Sequence, residues 1–151
     1  MEPIVLDGES LTIDEIVAVA RHGAKVRLGD SAIETIEESH QWVEEIIKRG
    51  EPVYGINTGF GIFAEQRIPA EDSAQLSRNL ILSHAVGTGE PLDDEIVRAA
   101  ILVRANTLAK GFSGVRILVV ETLLALLNKG VTPVVPSQGS LGSSGDLAPL
   151  S

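Results

Sequence analysis

The chain has 151 residues, 44% of them hydrophobic and 22% charged, which is enough to bury a core and too apolar for a disordered segment. A formal net charge of -9 argues against the basic face on which nucleic acid is usually held, and the lack of cysteine excludes disulfides and thiolate metal sites. No cationic, apolar leader opens the sequence, and no apolar run nears the roughly 18 residues of a membrane span, so a soluble cytoplasmic protein without a membrane partner is expected.

Ile4-Val5-Leu6 before Asp7-Gly8 predicts a short strand and a turn. Thr12 and Glu15 have the spacing of a capping box, so a helix should run from there to about Arg21, with Ile13, Ile16, Val17 and Ala20 on one face and His22-Gly23 as its close. Lys25 to Leu28 predicts a second short strand. Ser31 and Glu34 have the same capping spacing, and the helix they open should reach Arg49 and stop at Gly50. Its apolar stripe is Ile33, Ile36, His40, Val43 and Ile47, opposite a glutamate face. A histidine on such a stripe is most simply a satisfied boundary residue, and three scattered histidines do not make a metal site.

Pro52-Val53-Tyr54 leads into a loop punctuated by Gly55, Gly59 and Gly61. Tyr54 is the chain's single tyrosine. It is either an anchor at the core boundary or a general base. A free phenol keeps its proton at neutral pH, so a tyrosine base needs neighbouring positive charge or hydrogen bonds. Pro69 and Asp72 mark a helix start, with Ala74, Leu76, Leu80 and Ile81 as core contacts and Ser83-His84 at its end. Asp93 should cap a helix to about Lys110. Ile96, Ala100, Val103 and Thr107 mark one face of it, and further apolar residues almost complete the circle, as in a buried helix. Ser113 or Gly114 should open another to about Lys129, with Val115, Leu118, Val119, Leu123, Leu126 and Leu127 inside. Exposed apolar surface and association are expected along this pair. Thr132 to Pro136 is an extended approach to the last stretch. The fold class is therefore mainly α, with a few short strands at the amino-terminal end leading into the start of a long helical bundle.

That last stretch, Gly139 to Ser151, crowds serines and glycines before it turns apolar. Two readings arise from residue types. Ser143 or Ser144 caps a helix that begins near Asp146. Alternatively the loop is reactive: the unhindered Gly145 amide attacks the Ser143 carbonyl, a five-membered ring closes, and Ser144 loses water to leave an exocyclic alkene. The amide resonance given up makes this a high barrier, which a strained turn would lower.

Gly142-Ser143-Ser144-Gly145-Asp146-Leu147-Ala148-Pro149-Leu150 resembles the signature of the aromatic amino acid ammonia-lyases. Tyr54-Gly55-Ile56-Asn57-Thr58-Gly59-Phe60-Gly61 and Asn79-Leu80-Ile81-Leu82-Ser83-His84-Ala85-Val86-Gly87-Thr88-Gly89 resemble two more stretches of the family, in its order. The resemblance runs from about Leu6 to Ser151 and is greatest to the histidine-specific branch. It implies a 4-methylidene-imidazol-5-one (MIO) group formed from Ser143, Ser144 and Gly145, with Asp146 supporting the turn and no metal or soluble cofactor. Ser143 stands where the family usually has alanine; the ring would carry hydroxymethyl in place of methyl, and cyclisation is expected to survive.

The resemblance also implies the chemistry. Tyr54 is the base that removes the substrate β-proton; His84 faces the substrate ring, with Asn57 and Gly61 also on the substrate side. The reaction is non-oxidative loss of ammonia from L-histidine to give trans-urocanate, in a homotetramer whose sites are shared between subunits. An amino-terminal lobe over 1–110 and the start of the central helical domain over 111–151 are implied, as part of a longer enzyme whose carboxylate-binding arginine lies past Ser151. The chain alone is therefore expected to be inactive. Two other readings stay open: a tyrosine or phenylalanine ammonia-lyase or an aminomutase, and a non-catalytic assembly module in which the serine loop only caps a helix.

Overall fold

The computed structural model describes residues 2–61, 64–139 and 147–151. Its elements, in order, are β1 (Ile4–Leu6), α1 (Ile13–His22), β2 (Val26–Leu28), α2 (Asp30–Arg49), α3 (Ala70–His84), β3 (Thr88–Pro91), α4 (Asp94–Ala109), α5 (Ile117–Lys129), β4 (Pro136–Gln138) and the single turn α6 (Leu147–Leu150). The protein is mainly α with short strands. Among the described residues no helix is long and apolar enough to cross a membrane. The chain divides into two compact units, Met1–Trp42 with Leu92–Val134, and Val43–Pro91 with Val135–Ser151.

The first unit holds the core. β1 and β2 pair in parallel with Ile4 opposite Val26 and Leu6 opposite Leu28, so alternate side chains turn inward. Leu6, Val19, Val26, Leu28, Ala32, Ile36, Leu102, Ala105, Leu108, Ala109, Val120, Leu124 and Leu127 form one buried cluster. α1 starts as expected: Glu15 N–H donates to Thr12 Oγ1 (3.3 Å) and Thr12 N–H donates to the Glu15 carboxylate (2.8 Å), and Gly23 closes the helix at φ 68°. Asn128 covers the free side of β2 by accepting from Val26 N–H (2.9 Å) and donating to Val26 O (2.8 Å). Arg98 is buried, and its guanidinium donates to Val19 O (2.9 Å), Ala20 O (3.2 Å) and Leu127 O (3.4 Å). One cation thus meets carbonyls in the last turns of both α1 and α5.

Several expectations are corrected here. α2 begins at Asp30, with Ile33 N–H donating to Gly29 O, so Ser31 lies inside the first turn and does not cap. The inner face of α4 is Val97, Arg98, Leu102, Ala105, Leu108 and Ala109, while Ile96 and Val103 of the expected face are exposed. Both faces are apolar, so periodicity could not choose between them; the partners α1 and α5 do. α5 begins at Ile117, after an extended Arg116, and buries Val120, Leu124 and Leu127; Leu118 and Val119 face out. The apolar surface expected on this pair is thus present at Ile96, Val103, Leu118 and Val119. In α3, Leu76 and Leu80 are half-buried and Ile81 is exposed, since one residue along a helix turns a side chain by about 100°. The Ala74 side chain lies outside the described residues. β3 was not anticipated, because Thr88-Gly89-Glu90-Pro91 has no strand pattern; it exists by pairing antiparallel with β4, Thr88 opposite Gln138 and Pro91 opposite Pro136.

Candidate active site

Tyr54, Asn57, Gly61 and His84 all lie in the second unit. Tyr54, Asn57 and Gly61 share the loop between α2 and α3, and His84 is the last residue of α3. The loop is made by hydrogen bonds more than by burial. Ile56 N–H (3.1 Å) and Asn57 N–H (3.2 Å) both donate to Val53 O, wrapping one turn around Tyr54. Gly55 within that turn has φ 82°, a conformation that a side chain would strain. Asn57 Oδ1 accepts from Val53 N–H, and its Nδ2 donates to Glu51 O, each at 2.8 Å.

The neck of the loop follows at once. Thr58, 3% exposed, bridges Arg67 in antiparallel fashion. Gly59 N–H donates to Gln66 O, and Ile68 N–H donates to Asn57 O, each at 2.9 Å. Beyond the neck, the Phe60 ring meets the Tyr54 ring edge-on, with centroids 5.9 Å apart and planes at 71°. The motif by itself assigns Phe60 no role; the ring pair exists only in the folded loop. The Tyr54 ring is otherwise open, at 62% exposure.

His84 is held differently. Its Nδ1 lies 2.7 Å from Leu80 O and 3.1 Å from Ser83 Oγ, and Ser83 Oγ donates to the same carbonyl at 2.8 Å. A carbonyl only accepts, so Nδ1 carries the proton in this contact, and the neutral ring keeps its lone pair at Nε2. Ser83 therefore helps fix the tautomer, a role that its position in sequence did not reveal.

Ser143, Ser144, Gly145 and Asp146 lie outside the described residues. The chain on either side of them is defined. A Cβ placed on Gly139 would stand 2.9 Å from Ala148 Cβ and 3.1 Å from Gly87 Cα, and the φ of 145° at Gly139 also suits glycine alone. Gly139, Ala148 and Gly87 are therefore in contact, and Gly87 follows His84 closely in sequence. One Cβ more at Gly87 would press on Pro136 at 3.0 Å. Gly139 and Gly87, the latter three residues past the end of α3, thus meet backbone to backbone.

The model of a family described as aromatic amino acid lyase matches residues 11–151. The chain belongs to the aromatic amino acid lyases. It is 57% identical over 148 residues, 98% of its length, to the histidine ammonia-lyase of Shouchella clausii. Among solved structures it superposes on histidine ammonia-lyase from Trypanosoma cruzi with a TM-score of 0.87 at 39% identity, and on tyrosine aminomutase from Streptomyces globisporus with a TM-score of 0.91 at 38% identity, covering 99% of this chain in both. The chain spans 30% of the length of the Shouchella relative and 28% of each of the two structures. Lyases of this family in general depend on MIO.

Proposed function

We propose that this chain is the part of a histidine ammonia-lyase that supplies the proton-abstracting base, one wall of the substrate site and the residues of the electrophile, for the loss of ammonia from L-histidine to give trans-urocanate. The observation that carries this reading is the match of residues 11–151 to the aromatic amino acid lyases, together with 57% identity to a histidine ammonia-lyase over 98% of the chain. The choice of histidine rests on the sequence relatives, among them a histidine ammonia-lyase at 57% identity; the solved histidine ammonia-lyase and tyrosine aminomutase, at 39% and 38%, do not separate the two. The reading of the chain as tyrosine- or phenylalanine-acting, or as an aminomutase, is less favoured on that ground.

In this reading the MIO group would be formed from Ser143, Ser144 and Gly145, with Asp146 supporting the turn. The contact of Gly139 with Ala148 and Gly87 fits such a turn, because it returns the chain to its starting point around the three residues. Once formed, the ring supplies an electrophilic carbon that makes the substrate nitrogen a better leaving group. Tyr54 removes the β-proton at its phenolic oxygen, and its open ring leaves that oxygen accessible to a ligand. His84, with Nδ1–H committed to Leu80 O, offers Nε2 as an acceptor. That suits the N–H of a substrate imidazole, and it would serve a phenol O–H as well. Gly61 completes the substrate side by keeping the loop tip free of a side chain, and Asn57 supports it from within the same loop. Assembly into a homotetramer uses the exposed apolar face of α4 and α5.

The intact mass of the purified chain tests the reading. A deficit of two water molecules is expected from ring closure and dehydration. An unmodified mass in a full-length enzyme carrying this sequence would sink the electrophile assignment and favour an assembly module. Since the chain has 30% of its relative's length, no steady urocanate production is expected from it alone, and turnover by the 151-residue chain would refute that part.

A further inference from the structure

We propose that Asn57 is a positioning residue for Tyr54: its amide clamps the turn that carries the phenol and acts on the reaction only through that turn. The inference rests on Tyr54 being the base. It serves the substrate side as proposed above, but through the backbone.

Four hydrogen bonds carry it. Asn57 Oδ1 accepts from Val53 N–H, and Asn57 N–H donates to Val53 O, so both polar groups of the residue before Tyr54 are fixed by one asparagine. Asn57 Nδ2 donates to Glu51 O, tying the same side chain to the incoming segment of the loop. Asn57 O accepts from Ile68 N–H at the neck, so the clamp is itself anchored. The Tyr54 ring is 62% exposed and meets one other ring by its edge, so burial does little to aim it. The direction of its Cα–Cβ bond must come from the backbone, which Asn57 holds on the amino-terminal side. An amide is the side chain the position calls for, because it must accept from an N–H and donate to a carbonyl at once. A carboxylate would keep the first bond and set an oxygen against Glu51 O. Alanine would lose both.

Small misplacements of a reacting group cost large factors in rate, about a hundredfold for roughly 1 Å. In a full-length enzyme carrying this sequence, Asn57→Ala should lower kcat by about tenfold to a hundredfold and leave KM within about threefold. Asn57→Asp should lose less, since it keeps the Val53 bond. In a Tyr54→Phe background, Asn57→Ala should change the residual rate by less than about twofold, because there is no base left to aim. Amide hydrogen exchange at Val53 should quicken in Asn57→Ala and stay slow in Asn57→Asp, a readout that needs no turnover, and unchanged exchange in the first unit shows that the rest of the chain is folded.

A rise in KM with kcat unchanged, or losses that multiply with Tyr54→Phe, would show that Asn57 touches substrate directly and overturn the clamp. A dead Tyr54→Phe enzyme beside a fully active Asn57→Ala enzyme would overturn the clamp and leave the base assignment standing. A fully active Tyr54→Phe enzyme would remove the base assignment, and this inference with it.

Discussion

The two compact units are built on different terms. The first gathers the whole buried cluster, from Leu6 to Leu127. In the second, the buried apolar side chains among the described residues are Ile46 and Ala148, and its loops are closed by backbone pairing, by the Asn57 amide and by glycine contacts. The candidate site residues sit in this second, lightly buried unit. Local stability follows apolar burial, and parts that bind and react are commonly drawn from its low end. The first unit provides stability, and the second provides geometry.

That contrast predicts unequal responses to the same kind of truncation. Leu102→Ala, at a position with no exposed surface, should cost about 3 to 5 kcal/mol in a denaturant melt. Leu82→Ala, at 61% exposure, should cost no more than about 0.5 kcal/mol. Equal losses at the two sites would break the comparison. Next in size is Arg98→Met, which keeps most of the volume but abandons carbonyls at the ends of α1 and α5; about 2 to 3 kcal/mol should be lost. A neutral Arg98→Met would mean that water takes over those carbonyls.

The same contrast explains what was legible beforehand. The first unit obeys local rules: the Thr12–Glu15 capping box, the Gly23 stop and the alternation in β1 and β2 all read directly from residues. Where it misled, as in the choice of face on α4, both faces were apolar and only the packed neighbours decided. The second unit was legible through motif resemblance, which picked out Tyr54 and His84. Its construction was not. β3 is set by its partner strand and not by its own composition. The Asn57 clamp depends on which backbone groups a loop leaves open, and Gly139 meets Gly87 only once the chain has folded back. The arrangement of Ser143, Ser144, Gly145 and Asp146 is outside the described residues.

Gly139→Ala probes the second unit at its tightest backbone contact. The new Cβ has Ala148 and Gly87 in its way and a positive φ to adopt, so about 1 to 2 kcal/mol should be lost locally. The more telling readout is covalent. The fraction of chains that have shed two water molecules should fall in Gly139→Ala, while a melt of the first unit should hardly move. An unchanged dehydrated fraction would show that the base of the loop does not influence ring closure.

The smallest expected effect belongs to the first unit and to acid. Asp7 accepts from Ser10 N–H (2.8 Å), from the Ser10 hydroxyl (2.7 Å) and from Glu9 N–H (2.8 Å), and these donors hold its carboxyl at about 2, below the ordinary 3.8. Glu15 is lowered in the same sense by the Thr12 N–H and hydroxyl. A carboxyl with a depressed folded value releases its proton more readily in the folded state, so the unfolded chain binds more protons in the window between the two values. Its contribution is therefore complete above about pH 4 and is lost as pH falls towards about 2. Both groups are exposed, so the slope should be shallow. Asp7→Asn should flatten the fall in melting temperature between pH 4.5 and 2.5 (roughly the window set by the linkage) and change little at pH 7 beyond a constant offset. Adding Glu15→Gln should flatten it further. A fall of undiminished steepness in the double variant would place the acid-sensitive contacts elsewhere in the chain, and if they fell in the second unit the division of labour drawn above would have to be redrawn.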